Sequence, residues 1–184
     1  MKSVLISIQP EWCELIASGK KTVEVRKTKP KIETPFKVYI YRTKGFVRHL
    51  CNNKWWNMPV GGEVIGEFVC DKIVEFENSW YDPAFDETST FSCVNVEELA
   101  RYIGKNDYGY GWHISDLVIY DKPKELSEFK PICRWMNDDF SCMYQKVECG
   151  KVKFDINPDN TVNLAECTRR LSKAPQSWCY VVGM

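Results

Sequence analysis

Short apolar runs separated by turn residues dominate the chain, and helical periods are few and brief. Val4-Leu5-Ile6, resumed at Ile8 after Ser7, is rich in β-branched residues and predicts a first strand. Gln9-Pro10 ends it. Pro10 suits the first turn of a helix, where its missing N–H costs nothing. Trp12, Leu15 and Ile16 recur at i, i+3 and i+4, so a short amphipathic helix follows. Gly19 stands where that helix stops and can adopt the left-handed cap conformation. Thr22 to Arg26 then alternates strictly. Val23 and Val25 are expected to face a core, and Thr22, Glu24 and Arg26 to face outward. Lys29-Pro30-Lys31 breaks the pattern, and Lys37 to Thr43 predicts a third strand.

Residues 44–60 carry Trp55 and Trp56 on a weak pattern that reads as a loop or irregular helix. Gly61-Gly62 signals a turn. Val64 to Val74 predicts one long strand with Gly66 at a bulge. Asn95-Val96-Glu97-Glu98 resembles a capping box with Asn in place of Ser or Thr. Leu99, Tyr102 and Ile103 form the apolar stripe of the helix it opens, and Gly104 closes it. Trp112 to Tyr120 predicts a strand ended by Asp121-Lys122-Pro123. Residues 124–129 read as a short helical turn, and Ser177 to Val182 as the last strand. Between them, residues 131–170 hold four cysteines, few regular periods and the turn-rich Asn157-Pro158-Asp159-Asn160. This stretch reads as an insertion. The predicted order is β-α-β-β-β-α-β, insertion, β, with few helical crossovers. The simplest packing is one α+β domain over residues 1–184. It is a mixed curved β-barrel with two or three short helices and a cysteine-containing insertion at about 131–170.

A chain of 184 residues, 44% hydrophobic, can bury a core without covalent staples. Twenty-five basic residues balance twenty-five acidic ones, which argues against a coat for long duplex DNA, and any nucleic-acid contact should be local. Charge is nonetheless segregated. Residues 19–31 hold six cations and one acid, whereas residues 71–98 hold eight acids and one lysine. Such patches are as readily solvated surface as an electrostatic funnel. Nine cysteines, an odd number, argue against an extracellular disulfide scaffold. No apolar run reaches the roughly 18 residues of a membrane span, and the N-terminal run is too short for a signal peptide. The expected setting is the cytoplasm, with no membrane partner.

Candidate chemistry concentrates in Gly19-Lys20-Lys21-Thr22-Val23-Glu24-Val25-Arg26, which reads Gly-x-Lys-x-x-Glu-x-Arg. A helix cap delivers the chain into a strand. Glu24 and Arg26 share one face, roughly 6.5–7 Å apart along it, and Lys21 at the strand mouth can bend over the same groove. One acceptor flanked by two cations can read a base edge and its phosphate. It can also run chemistry, with Glu24 as base and the cations on a developing anion. By spacing alone a weak surface salt bridge is the commoner explanation of such a pair.

The octapeptide resembles the signature of the ASCH domain family at every fixed position. The resemblance extends to Ser7-Ile8-Gln9-Pro10-Glu11-Trp12, Lys37-Val38-Tyr39-Ile40-Tyr41, Gly62-Glu63-Val64-Ile65-Gly66-Glu67-Phe68 and Ala174-Pro175-Gln176-Ser177-Trp178-Cys179-Tyr180-Val181, the last similar to bacteriophage and bacterial members. It covers about residues 1–130 and 171–183 and leaves the insertion outside. The resemblance implies a PUA-like fold and a groove for single-stranded RNA or a modified nucleoside or nucleotide. Some members are enzymes, which keeps two hydrolases in view: a ribonuclease using Lys21, Glu24 and Arg26, and an N4-acylcytidine amidohydrolase. The second uses a threonine where this chain has Glu24, with Thr22 two residues out of register, and a carboxylate does not replace an alkoxide nucleophile.

Further candidates are weaker. Tyr41 and Trp56, with Tyr110 and Trp112, can offer rings for base stacking, although strand aromatics such as Tyr39 and Trp112 are more often core. Gln176 and Ser177 can line the groove as polar readers or simply form a turn. His49 and His113 stand in no metal-ligand spacing. Cys133, Cys142, Cys149 and Cys167 lack the close pairs of zinc sites, so buried thiols are the favoured reading and a structural zinc the alternative; no other cofactor is expected. An interaction module acting through the insertion is the third functional class.

Overall fold

In the computed structural model, which describes residues 1–51, 53–133, 155–156, 162–163 and 169–184, the strands divide between two main sheets. The chain runs β1 (Lys2–Ile8), α1 (Pro10–Ala17), β2 (Val23–Arg26), β3 (Phe36–Arg42), β4 (Gly45–Cys51), β5 (Lys54–Val60), β6 (Glu63–Cys70) and β7 (Ile73–Glu77). It continues with α2 (Pro83–Ser92), α3 (Val96–Ile103), β8 (Tyr108–His113), β9 (Ser115–Glu125), a 3-10 turn (Leu126–Glu128), β10 (Asp155–Ile156), β11 (Val162–Asn163) and β12 (Trp178–Val182). The larger sheet has the order β12-β1-β3-β6-β9, with β1 and β3 parallel and the other pairs antiparallel. The smaller is β2-β8-β7, antiparallel throughout. Strands β4 and β5 pair only with each other among the described residues, as do β10 and β11.

Strand β1 is buried on both faces, which is why it reads as a near-continuous apolar run rather than an alternation. Val4, Ile6 and Ile8 meet Cys13 and Ile16 of α1, Phe36, Val38, Ile40, Phe68 and Trp112 in the main core. Leu5 turns the other way, onto Tyr39, Tyr41, Phe129 and Val181. A third cluster seals the small sheet: Val25 and Phe76 against Phe85, Leu99 and Ile103 of α2 and α3. Tyr39 and Trp112 are fully buried, as expected for core aromatics. Among the described residues, no helix is long and apolar enough to cross a membrane.

Several element boundaries depart from the sequence expectation. The predicted 64–74 strand is two strands. At Asp71-Lys72 the chain leaves the large sheet for the small one, and His113 N–H bonds the Lys72 carbonyl there. The predicted 112–120 strand is likewise two, β8 and β9, which divide at Ile114 between the sheets. Pro123 does not end β9. Pairing jumps from Gly66–Ile119 to Val64–Lys124, so the extra residues of this edge strand form an irregularity that absorbs the proline. Residues 44–60 are a hairpin rather than a loop or helix. Its missed signal is Asn53 between the strands, which takes a φ of 57°. Helix α2 has no counterpart in the sequence reading; Asp82 caps it by accepting from Ala84 N–H at 2.9 Å.

Candidate functional site

The helix α1 ends on Ser18, and Gly19 takes a φ of 73°. The N–H groups of Lys20 and Lys21 both return to the Leu15 carbonyl at 3.0 Å. This tight exit turns Lys21 inward, where it is 2% exposed. Its ammonium donates to the Ser92 carbonyl at the C-terminal end of α2, 2.8 Å away, where the helix dipole favours a cation. It also lies 3.4 Å from Glu24 Oε2. The other oxygen of Glu24 is 2.8 Å from Arg26 Nη2. Arg26 in turn donates to the Ser7 carbonyl at 2.6 Å and to Ser177 Oγ at 3.4 Å. One charged trio thus ties together the ends of α1 and α2, strands β1 and β2, and the segment entering β12.

Glu24 and Arg26 were expected on an outward face, and the structure corrects this: they are 6% and 7% exposed. Glu24 pairs in register with Trp112 and faces the main-core side, at its edge, whereas Val25 faces the third cluster. Strand β2 is therefore covered twice, by α2 and α3 on one face and by the α1 exit and the end of β1 on the other. Alternation alone marks two faces and does not say whether both are covered.

Two cations share one carboxylate here, so the trio carries a net positive charge with little water to screen it. Burial holds the Lys21 ammonium below its ordinary pKa, with Glu24 acting against that shift. Cys13 lies within the same field, and its thiol is pushed up to about 12 by burial first and by Glu24 second. It is a protonated thiol and a poor nucleophile. The Nε of Arg26 is buried and has no hydrogen-bond partner among the described residues.

Of the other candidates, Ser177 joins the trio and Gln176 is exposed beside it. The structure does not bring Tyr41 there: it is buried in the second cluster, across the large sheet from Ile40. Trp56 is exposed on the β4–β5 hairpin. Thr22 lines a cavity of about 360 Å³ shared with Asp71, Thr88, Phe91, Gly111 and His113. His113 Nδ1 is 2.6 Å from Asp71 Oδ1 there. Among the described residues no three His, Cys, Asp or Glu side chains are grouped to hold a metal. Of the cysteines weighed for zinc, Cys133 is described, and Cys142, Cys149 and Cys167 lie outside the described residues. The basic 19–31 segment and the acidic 71–98 segment meet directly, Lys29 pairing with Glu75 at 2.8 Å.

Four participants escaped the sequence reading. Ser7 and Ser92 act through backbone carbonyls, for which residue type gives no signal. Trp12 has its ring centre 5.2 Å from the Lys21 ammonium. Tyr102 lies against Arg26 and Glu24 and remains 42% exposed, whereas its stripe partners Leu99 and Ile103 are fully buried. Both aromatics fall on the apolar stripes of their helices; each is amphipathic enough to sit at a rim.

A sequence model of the ASCH domain matches residues 6–103, more than half of the chain. Among solved structures, the crystal structure of ASCH from Zymomonas mobilis superposes with a TM-score of 0.52 at 22% identity, covering 67% of this chain and 73% of that one. A point mutant of the same protein gives 0.52 and 22%, over 67% of this chain and 74% of that one. Likeness at this identity shows the fold alone. Among curated proteins nothing matches the sequence.

Proposed function

The chain belongs to the ASCH domain family, which has a PUA-like fold of the RNA-binding kind, and from that premise we propose that it binds single-stranded RNA or a modified nucleotide at Lys21, Glu24 and Arg26. The observation that carries this reading is the buried trio itself: two cations on one carboxylate, with Arg26 Nε left without a partner among the described residues. A net positive site with a spare donor favours an anion or a base acceptor. The cations take phosphate or base oxygens, and Glu24 accepts from an exocyclic amine. Ser177 and Gln176 add polar contacts, and the rings of Trp12 and Tyr102 stand at the rim for stacking. The setting proposed is the cytoplasm, and Cys13, Cys51, Cys70, Cys93 and Cys179 are free thiols.

A second reading, hydrolysis in the same groove, draws support from Lys21. A lysine held below its ordinary pKa by burial is better suited to proton transfer than a solvated one. A phosphodiester fits this better than an acyl group, since Thr22 lines a separate cavity and Glu24 is no alkoxide. The test is binding and cleavage of short labelled single-stranded RNAs by the wild type and by Lys21→Ala. Binding without cleavage, weakened in the variant, supports the reader. Cleavage lost in the variant supports the ribonuclease. No RNA interaction, with binding of N4-modified cytidine, redirects the site to free nucleosides.

A further inference from the structure

The hairpin β4–β5 stands apart from the rest of the fold. Its strands pair over seven positions, from Gly45–Val60 to Cys51–Lys54, and hydrogen-bond to no other strand among the described residues. An isolated two-stranded hairpin is marginal in water and usually buries one face to persist. This one leaves Phe46 70%, Trp55 61%, Trp56 57% and Met58 50% exposed. Apolar surface on that scale marks a binding surface.

The charges on the hairpin indicate what it binds. From Lys44 to Gly62 there are three cations, Lys44, Arg48 and Lys54, and no acid, in a chain that is neutral overall. The register distributes rings and cations over both faces. Phe46, Arg48, Leu50 and Trp55 share one, with the Arg48 guanidinium 5.1 Å from the Trp55 ring centre; Lys54, Trp56 and Met58 share the other. Aromatic rings interleaved with cations, and no opposing carboxylates, suit a flexible polyanion whose repeating units are flat: a single-stranded nucleic acid.

The root of the hairpin lies beside the buried trio. Thr43 N–H bonds the Ile8 carbonyl at 2.8 Å, and the preceding carbonyl, that of Ser7, is the one Arg26 grips. At the first hairpin residue, a Cβ on Gly45 would meet Pro10 of α1 at 3.1 Å. We propose that the β4–β5 hairpin is an arm for single-stranded RNA, stacking bases on Trp55, Trp56 and Phe46 and contacting phosphates through Arg48 and Lys54, so that it holds nucleotides flanking the one read by Lys21, Glu24 and Arg26. The arm rests on the proposed RNA function, and the experiment separates the two.

The full chain is titrated with a labelled ribotrinucleotide and with a 12-nucleotide oligouridine over a series of salt concentrations. The proteins are wild type, Trp55→Ala/Trp56→Ala, Arg48→Ala/Lys54→Ala and Lys21→Ala, each first checked by thermal unfolding to be folded at the assay temperature. The expected result is a 12-mer bound more tightly than the trinucleotide, and about tenfold or more weaker in the tryptophan double variant, with trinucleotide binding unchanged. The Arg48/Lys54 variant lowers the salt slope for the 12-mer by about 1.4, two phosphates at about 0.7 each, whereas the tryptophan variant keeps the slope. Equal 12-mer affinity and slope in wild type and both hairpin variants overturns the arm. So does loss of trinucleotide binding in those variants, which makes the hairpin part of one small site. Binding of wild type, and not of the hairpin variants, to phosphatidylserine vesicles without RNA affinity also overturns it. If Lys21→Ala changes nothing while the hairpin variants lose the 12-mer, the arm stands and the trio's reading fails.

Discussion

Glu24 Oε1 lies 2.8 Å from Arg26 Nη2, with less than a tenth of either side chain open to solvent. The same carboxylate faces Lys21 at 3.4 Å, so it is the anion shared by two buried cations. Removing it leaves like charges together with little solvent between them, and breaking a buried pair of this kind costs about 3–5 kcal/mol. Glu24→Ala is expected to lose stability on that scale in urea unfolding at neutral pH. Glu24→Gln keeps an acceptor for Arg26 and should lose less, about 1–3 kcal/mol. As a folded protein, Glu24→Gln then tests function. A reader binds one base less well, and a nuclease binds but does not turn over. Unchanged binding and turnover would remove the trio from consideration.

Lys21 makes stability depend on pH in a direction opposite to most lysines. Its folded pKa is lowered, burial being the leading cause, from an ordinary value near 10.5. Between the folded value and 10.5 the unfolded chain holds the proton more firmly, so unfolding takes up protons and stability rises with pH. Lys37 has the opposite sign. Its hydrogen bond to Glu67 raises its pKa, so its contribution is present below 10.5 and disappears above. Comparing wild type with Lys21→Met by denaturant unfolding from neutral pH to 10.5 isolates the effect. Wild type should gain relative to the variant as pH rises; a flat or falling difference would show that Glu24 outweighs the desolvation of Lys21.

The sequence pattern was most legible where one physical requirement acts alone. Pro10, the Trp12-Leu15-Ile16 spacing and Gly19 locate α1 to within a residue, and Asn95 caps α3 by accepting from Glu98 N–H at 2.8 Å. Legibility failed where a strand changes sheets. Nothing in the apolar pattern from Val64 to Val74 distinguishes a continuous strand from one that crosses at Asp71-Lys72, because both halves still need buried faces. The charged trio was legible as residue types and illegible as environment. Its burial depends on α2, whose Ser92 carbonyl is some seventy residues from Lys21. The exposed hairpin escaped for the converse reason: with both faces open, no burial imposes an alternation.

Gly66 supplies a test of the fold that leaves the trio untouched. It sits where the β6–β9 register shifts, and a Cβ there would come within 2.4 Å of the Val118 carbonyl oxygen. That oxygen is backbone and cannot swing aside as a side-chain tip can. Gly66→Ala must push β9 away from β6, and overpacking of this sort costs about 1–3 kcal/mol. The expected outcome is a lower urea midpoint with ligand affinity retained by the folded fraction. A midpoint equal to wild type would mean that the edge strand shifts freely at this irregularity.

Arg26 links the site to the closure of the large sheet, and lysine should not replace it. Its guanidinium spans Glu24, the Ser7 carbonyl and Ser177 Oγ, three acceptors contributed by three parts of the chain. Beside it, Ser7 N–H bonds the Ser177 carbonyl at 2.8 Å and Ser7 Oγ bonds the Pro175 carbonyl at 2.7 Å, so the segment leading into β12 is laced to β1 at this point. A lysine ammonium is a compact charge without the planar fork. It can neutralise Glu24, yet it does not hold all three acceptors in the same geometry. With charge-assisted bonds contributing about 1.5–3 kcal/mol each, Arg26→Lys should lose about 2–3 kcal/mol, less than a charge-removing substitution. The loss should also be local. In native-state hydrogen exchange, the amides of Ser7 and of residues 178–182 should exchange faster, whereas Val38 and Ile40 at the sheet centre keep the protection set by global unfolding. Uniform acceleration across the sheet would show that Arg26 supports the whole core; unchanged exchange at Ser7 would show that the closing strand is held by β12 pairing alone.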